Sequence, residues 1–229
     1  MNTVHMLRRR VAGSAPKAVN RSRARIFSRG VDDTRALLVA AARDVFLEAG
    51  PASFSLREVA RRVGISAAAV YRHFEGKEAL LFAACTQGFQ VFSSYLVRAL
   101  GEPTPLARLL GTGDLYRLFA LENPLDYRFI FMSPVGKVNP KLAKASGPSN
   151  AALPQDTTFR FLVDRVRECM AVGVLAADDA ERIAVVIWAH VHGVVSLRLS
   201  GHLDAMGDDE AFSAFYRASV ERLLRALDP

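Results

Sequence analysis

From Ser55 to Lys77 the chain reads SLREVARRVGISAAAVYRHFEGK, two short helical patterns parted by a single glycine. Gly64 is the constraint that most limits the fold. A chain that leaves one helix and enters the next within a few residues needs a left-handed residue at the corner, which glycine supplies without a Cβ penalty. Before the corner, Ser55 and Glu58 have capping-box spacing. The Ser hydroxyl accepts from the Glu58 N–H, and the Glu carboxylate is expected to reach back. Leu56, Val59, Ala60 and Val63 then share one helix face. After the corner, Ile65 plugs the angle and Ser66 is a second N-cap. Ala67 to Phe74 reads as a helix anchored by Val70 and Phe74.

This is the pattern of a helix-turn-helix laid against DNA. The exposed face of the second helix is expected to carry Ala67, Ala68 and Ala69, small enough for close approach to base edges and thymine methyls. Tyr71, Arg72 and His73 carry donors suited to phosphates. Lys77, at the start of the next helix, suits a phosphate too. Ser55, Arg57 and Ser66 complete the expected DNA-contacting set. Capping boxes and glycine stops also occur in ordinary helix pairs of all-helical enzymes. The aromatic and basic finish YRHF-x-x-K is far more specific.

With that finish, the segment from about Thr34 to Leu81 resembles the N-terminal domain of TetR-family transcriptional regulators. TRALLVAAARDVFLEAG matches the first helix, SLREVARRVG the second, ISAAAVYRHF the recognition helix and GKEALL the entry to the fourth. Further on, Trp188-Ala-His-Val-His192-Gly193 is similar to a Trp-His-Gly run in a subgroup of that family's C-terminal domains. Tyr116 to Phe131 is similar to the matching earlier helices. The resemblance implies an all-α fold of about nine helices in three parts. Residues 1–31 are a basic arm expected to be disordered. Residues 32–80 are a three-helix DNA-binding domain, and residues 81–229 an effector-binding and dimerisation domain.

Composition fits this organisation. Of 229 residues, 51% are apolar, enough for a sizeable core. The net charge of +7 comes from 30 Lys and Arg against 23 Asp and Glu. Eight of the bases (Arg8, Arg9, Arg10, Lys17, Arg21, Arg23, Arg25 and Arg29) lie in residues 1–31, which hold no acid. The remainder carries 22 bases against 23 acids, so all the excess charge is in the arm. Such an arm can add phosphate contacts or enter a minor groove. A targeting peptide and a mis-assigned start at Met6 are its alternatives. Cys85 and Cys169 lie far apart in helical patterns and read as buried free thiols, consistent with a reducing cytoplasm.

Downstream, Lys77 to Leu100 reads as one long helix. Leu106 to Leu110 and Leu115 to Glu122 read as two, broken by Gly111 and Gly113. Asn123-Pro124 forces another break. Residues 133–154 read as a long loop or a partly ordered segment. Further helices are expected over Thr157 to Val172, from Asp178 or Asp179 to Leu199, and from Asp208 or Asp209 to Leu227. Ile183 to Leu197 holds no charge over 15 residues, short of the ~20 a membrane span needs. It is therefore expected to be buried on all sides, partly by a second copy. Val186, His190, Val194, Leu197, Phe212, Phe215, Val220 and Leu223 are the expected faces of a four-helix homodimer interface. No membrane association is expected.

His190 and His192, two apart, point about 160° from each other on a helix and cannot share an ion. No metal or cofactor site is read here. No Gly-rich phosphate loop, G-x-S-x-G or paired-Cys motif is present, and no enzyme is expected. The aromatic residues Tyr116, Phe119, Tyr127, Phe131, Phe159 and Trp188, with His192, are expected either to fill the core or to line a pocket for a small apolar effector. The resulting expectation is a cytoplasmic, ligand-responsive repressor that binds a double-stranded, pseudo-palindromic operator as a dimer. The alternatives are a helical-bundle enzyme and a non-specific DNA-organising protein.

Overall fold

In the computed structural model the described residues are 31–134 and 154–227. They form nine α-helices and two 3₁₀ turns, with no strand among the described residues. The basic arm and most of the expected loop at 133–154 lie outside them. The described residues up to Ala36 form a unit of their own, and those from Leu37 onward form a second.

Helix α1 spans Val31–Ser53 and is interrupted at Gly50, whose backbone (φ 75°, ψ 171°) leaves the helix. Leu38, Ala42, Val45 and Phe46 form its buried face. Ala49 is exposed, because it sits in the last turn before the interruption. Helix α2 spans Leu56–Val63, with the Ser55 hydroxyl accepting from the Glu58 N–H at 3.2 Å. Gly64 closes it in the left-handed region (φ 78°), and the Ile65 N–H returns to the Ala60 carbonyl at 3.0 Å. Helix α3 is a single turn, Ala67–Val70, capped by Ser66. Tight turns continue to Phe74 in place of the longer helix expected, and Val70 and Phe74 are both buried. The backbone tightens because Phe74 must enter the core while the chain swings out to start α4 at Lys77.

Helix α4 runs Lys77–Leu96 and ends in a 3₁₀ turn, Val97–Gly101. Helix α5, Pro105–Glu122, is continuous through Gly111 and Gly113, contrary to the break expected there. The glycines serve packing instead. The Gly113 carbonyl accepts the Tyr216 hydroxyl at 2.7 Å, and a Cβ on Gly113 would stand 3.3 Å from that oxygen. Helices α6 (Pro124–Phe131), α7 (Pro154–Ala171), α8 (Ala180–Leu199) and α9 (Asp209–Arg225) complete the order. Asp179 and Asp208 cap the last two, each carboxylate accepting from two N–H groups of the first turn.

Two expectations about α8 are corrected. It is 20 residues long, so its length does not exclude a span: Lys77–Gly101 and Ala180–Leu199 are both long and apolar enough to cross a membrane. Nor is it buried on all sides. Ala184, Ile187, Val191 and Val195 form one buried stripe, while Val185, Val186 and Leu197 are exposed.

Candidate DNA interface and cavity

The helix-turn-helix presents a polar rim. Tyr71 is 61% exposed, and Arg57, Ser66, Ala68, Arg72 and Lys77 are exposed as well. Ser55, Ala67 and His73 are half-buried. Ala69 is buried, so it is not part of the outward alanine face that the sequence suggested. In a one-turn helix only part of an alanine run can face outward, and Val70 and Phe74 fix which way α3 is turned.

Charge on this rim is sorted. Glu58 does not reach back to Ser55. Its carboxylate binds Arg61 at 2.8 and 2.5 Å, which holds it below the usual carboxylate range. Arg62 takes Glu48 of α1 through two bonds of 2.8 and 2.6 Å. Arg57, Arg72 and Lys77 form no ion pair among the described residues, leaving their charge available to an outside anion. Sequence spacing did not reveal the Arg62–Glu48 partnership, whose members lie on different helices.

The short helix α6 touches α1 on one side and α4 on the other. Asp126 accepts from Arg43 of α1 at 2.7 Å, and Phe129 meets Phe46 of α1 edge-on at 5.6 Å. On its other side Phe131 meets Phe89 and Phe92 of α4.

Between α4, α5, α6, α7, α8 and α9 lies a cavity of about 400 Å³. Phe89, Phe92, Tyr116, Phe131, Phe159 and Trp188 supply its aromatic wall. Of the expected pocket residues, Tyr116, Phe131, Phe159 and Trp188 line it, while Phe119, Tyr127 and His192 do not. Phe119 and Tyr127 are fully buried behind the wall. His192 stands one layer back and holds the wall in place. Its Nδ1 lies 2.9 Å from both the Tyr116 and Tyr127 hydroxyls, and its Nε2 lies 3.3 Å from Ser196 Oγ. Burial pushes both tyrosines above their ordinary range and lowers His192 below the ordinary imidazole value, so the network is neutral at pH 7.

The expected dimer residues divide as well. Val186, Leu197 and Phe215 are exposed, and His190, Val194 and Leu223 are half-buried. Phe212 and Val220 point into their own chain, which removes them from the interface face. Phe212 lies beneath the Arg198 guanidinium at 5.3 Å, and Val220 lines the cavity. His190 bonds Ser219 across α8 and α9 at 3.1 Å. Cys85 and Cys169 are both buried, and burial pushes their thiols up to about 12 and about 11. Among the described residues no group of three or more His, Cys, Asp or Glu is placed to hold a metal ion.

Two family profiles match this chain. Residues 38–84 match the bacterial regulatory proteins of the tetR family. Residues 109–227 match the tetracyclin repressor-like C-terminal domain. No match was found among curated proteins. Solved structures are similar over most of their length. A Rhodococcus sp. RHA1 protein of unknown function is 27% identical with a TM-score of 0.66, covering 89% of this chain and 98% of its own. The Thermus thermophilus TetR family transcriptional regulator PfmR is 18% identical with a TM-score of 0.65, covering 84% and 99%. A putative tetR family transcription regulator from Shewanella sp. PV-4 is 17% identical with a TM-score of 0.65, covering 83% and 95%. At these last two identities the likeness is one of fold.

Proposed function

The chain belongs to the TetR family of bacterial regulatory proteins, and from that premise we propose that it is a cytoplasmic, ligand-responsive transcriptional repressor that binds a pseudo-palindromic operator as a homodimer. The DNA-reading part is assigned to residues 32–80 and the sensing and dimerising part to residues 81–229. One observation carries the reading most directly. On the exposed rim of the helix-turn-helix, Arg61 and Arg62 are neutralised by glutamates while Arg57, Arg72 and Lys77 are not. Unpaired cations beside an exposed Tyr71 suit a row of phosphates, with Ser55, Ser66, Ala67, Ala68 and His73 around them. Two copies would set their recognition helices about 34 Å apart in successive major grooves. The cavity takes the effector, and occupancy shifts the dimer toward a spacing that no longer matches the operator.

The test uses the DNA flanking the protein's own gene. Tyr71→Ala and Lys77→Ala are expected to weaken operator binding with the fold retained, and Lys77→Ala to lower the salt slope of binding by about one. Parent-like binding by both variants would reject the assignment. Equal affinity for random DNA would instead favour a non-specific organiser.

A further inference from the structure

We propose that the cavity takes a single-headed amphiphile, a molecule with an unbranched alkyl tail and one small polar head, and holds it tail inward. The proposal rests on the ligand-responsive reading above and adds the class of ligand and its direction. The cavity runs along α5 from Leu109 to Tyr116, about two helical turns or roughly 10 Å. Contacts between helices fix what stands at each end. Arg108 donates to the Glu102 carbonyl at 3.0 Å, and a Cβ on Gly111 would stand 3.7 Å from Ala99. The end of α4, with Leu96 in its last turn, therefore lies beside the start of α5. Helix α9 runs antiparallel to α5, since Arg117 donates to Ser213 at 2.8 Å and Arg217 donates to Asp114 at 3.1 Å. Continuing that pairing brings Val220 and Leu224 toward Leu109. Leu96, Leu109, Val220 and Leu224 thus close one end of the cavity with aliphatic groups, and each is at most 5% exposed.

The other end differs in chemistry and in exposure. Phe131 packs on Phe89, Tyr116 and Trp188 at 5.7, 5.5 and 6.4 Å, and Phe159 meets Trp188 at 6.2 Å. Ser133, Asp156 and Thr158 line the cavity beside these rings. Trp188 is 37% exposed and Asp156 is exposed, so solvent meets the wall here. Thr112 stands between the two ends, and its hydroxyl donates to the Arg108 carbonyl at 2.7 Å. An alkyl chain gains by leaving water for the closed aliphatic end. A polar head carried there would lose its hydration, with no polar side chain of the described lining at that end to replace it. At the aromatic end the same head keeps water or meets hydroxyl and carboxylate groups. The gradient along the cavity, rather than any one donor or charge, sets the direction of the ligand.

The probes are hexanol, decanol and the terminal decanediol. Trp188 is the chain's one tryptophan and lies in the wall at the aromatic end, so its fluorescence in the full chain reports occupancy. Decanol is expected to bind about a hundredfold more tightly than hexanol, because its longer tail takes more methylenes out of water. Decanediol carries a second hydroxyl to the aliphatic end and is expected to bind no better than hexanol. Val220→Phe and Leu109→Phe each fill that end and keep the single tryptophan. Each variant, with parent-like circular dichroism, is expected to cut decanol affinity about tenfold and leave hexanol within about twofold of the parent. The diol comparison uses the parent chain alone and stands whether or not a variant folds. Decanediol as tight as decanol, equal losses for hexanol and decanol in the variants, or no fluorescence response to decanol overturns the proposal. Operator binding by the ligand-free protein is measured on the same preparation. A protein that binds its operator and takes decanediol as tightly as decanol loses only the ligand class. One with the expected order of alcohols and no operator binding loses the regulator reading.

Discussion

His192 is the residue whose ionisation is most tied to the state of the cavity wall. Its ring is held against Tyr116, Tyr127 and Ser196, and burial lowers its pKa from the ordinary value of 6.5. On acidification the unfolded chain therefore gains this proton before the folded chain does. The associated stability is full above the ordinary imidazole range and is lost as pH falls below it. Thermal melts at pH 7.5 and 5.5 should show a larger loss for the parent than for His192→Gln. Equal losses would mean that His192 ionises as freely in the fold as outside it. At this scale the sequence was readable where chemistry is local. Ser55 caps the next turn because a β-region serine ahead of a helix meets that N–H within a few bonds. Glu58 had two partners in reach, and the full charge of Arg61 outcompeted a backbone N–H for its carboxylate. Ala69 differs from Ala68 only in which way α3 faces, which Val70 and Phe74 decide from elsewhere in the core.

At the scale of elements, the contact of α4 with α6 is the tightest of the glycine-mediated approaches. A Cβ on Gly88 would stand 2.7 Å from Cγ2 of Ile130, closer than real atoms tolerate. Gly88→Ala should therefore destabilise the fold by about 1–3 kcal/mol through overpacking, and the double variant Gly88→Ala/Ile130→Ala should lose less than the two single changes added together. Denaturant titration of the four proteins measures this, and strict additivity would show that the helices separate freely. Since α6 also carries Asp126 and Phe129 against α1, displacing it should disturb the reader as well. Most helix starts were legible, because Ser66, Asp179 and Asp208 declare themselves by residue type. Gly111 and Gly113 misled for a physical reason. A helix with enough packing around it absorbs the ~1 kcal/mol cost of a mid-helix glycine, and at Gly113 the missing Cβ makes room for the Tyr216 hydroxyl. The α4–α6 approach itself has no sequence signal, since it joins residues that only the fold brings together.

For the whole molecule, the exposed apolar side chains of α8 and α9 are the feature that a single copy leaves unexplained. Val186, Leu197 and Phe215 are 44, 45 and 37% exposed, whereas Phe212 and Val220 on the same pair of helices are buried. The apolar residues of α8 and α9 thus fall into two sets. One closes the cavity and the core, and the other is free to meet a second copy. Hydropathy along the sequence merges them, because both fall within the same wide helical periodicity; only the angle at which α9 lies on α5 separates them. Leu197→Asp and Phe215→Asp place a charge on the outer stripe without touching the inner one. In the proposed dimer each would be desolvated against its symmetry mate, and like charges brought together across a two-fold axis oppose association. Sedimentation is expected to give a monomer for the double variant and a dimer for the parent. Circular dichroism should show the same helix content for both. Operator affinity should fall steeply for the monomer, because one copy engages only one half-site. A double variant that remains dimeric would place the interface on another face, and a monomer with undiminished operator affinity would show that the two half-sites are read independently.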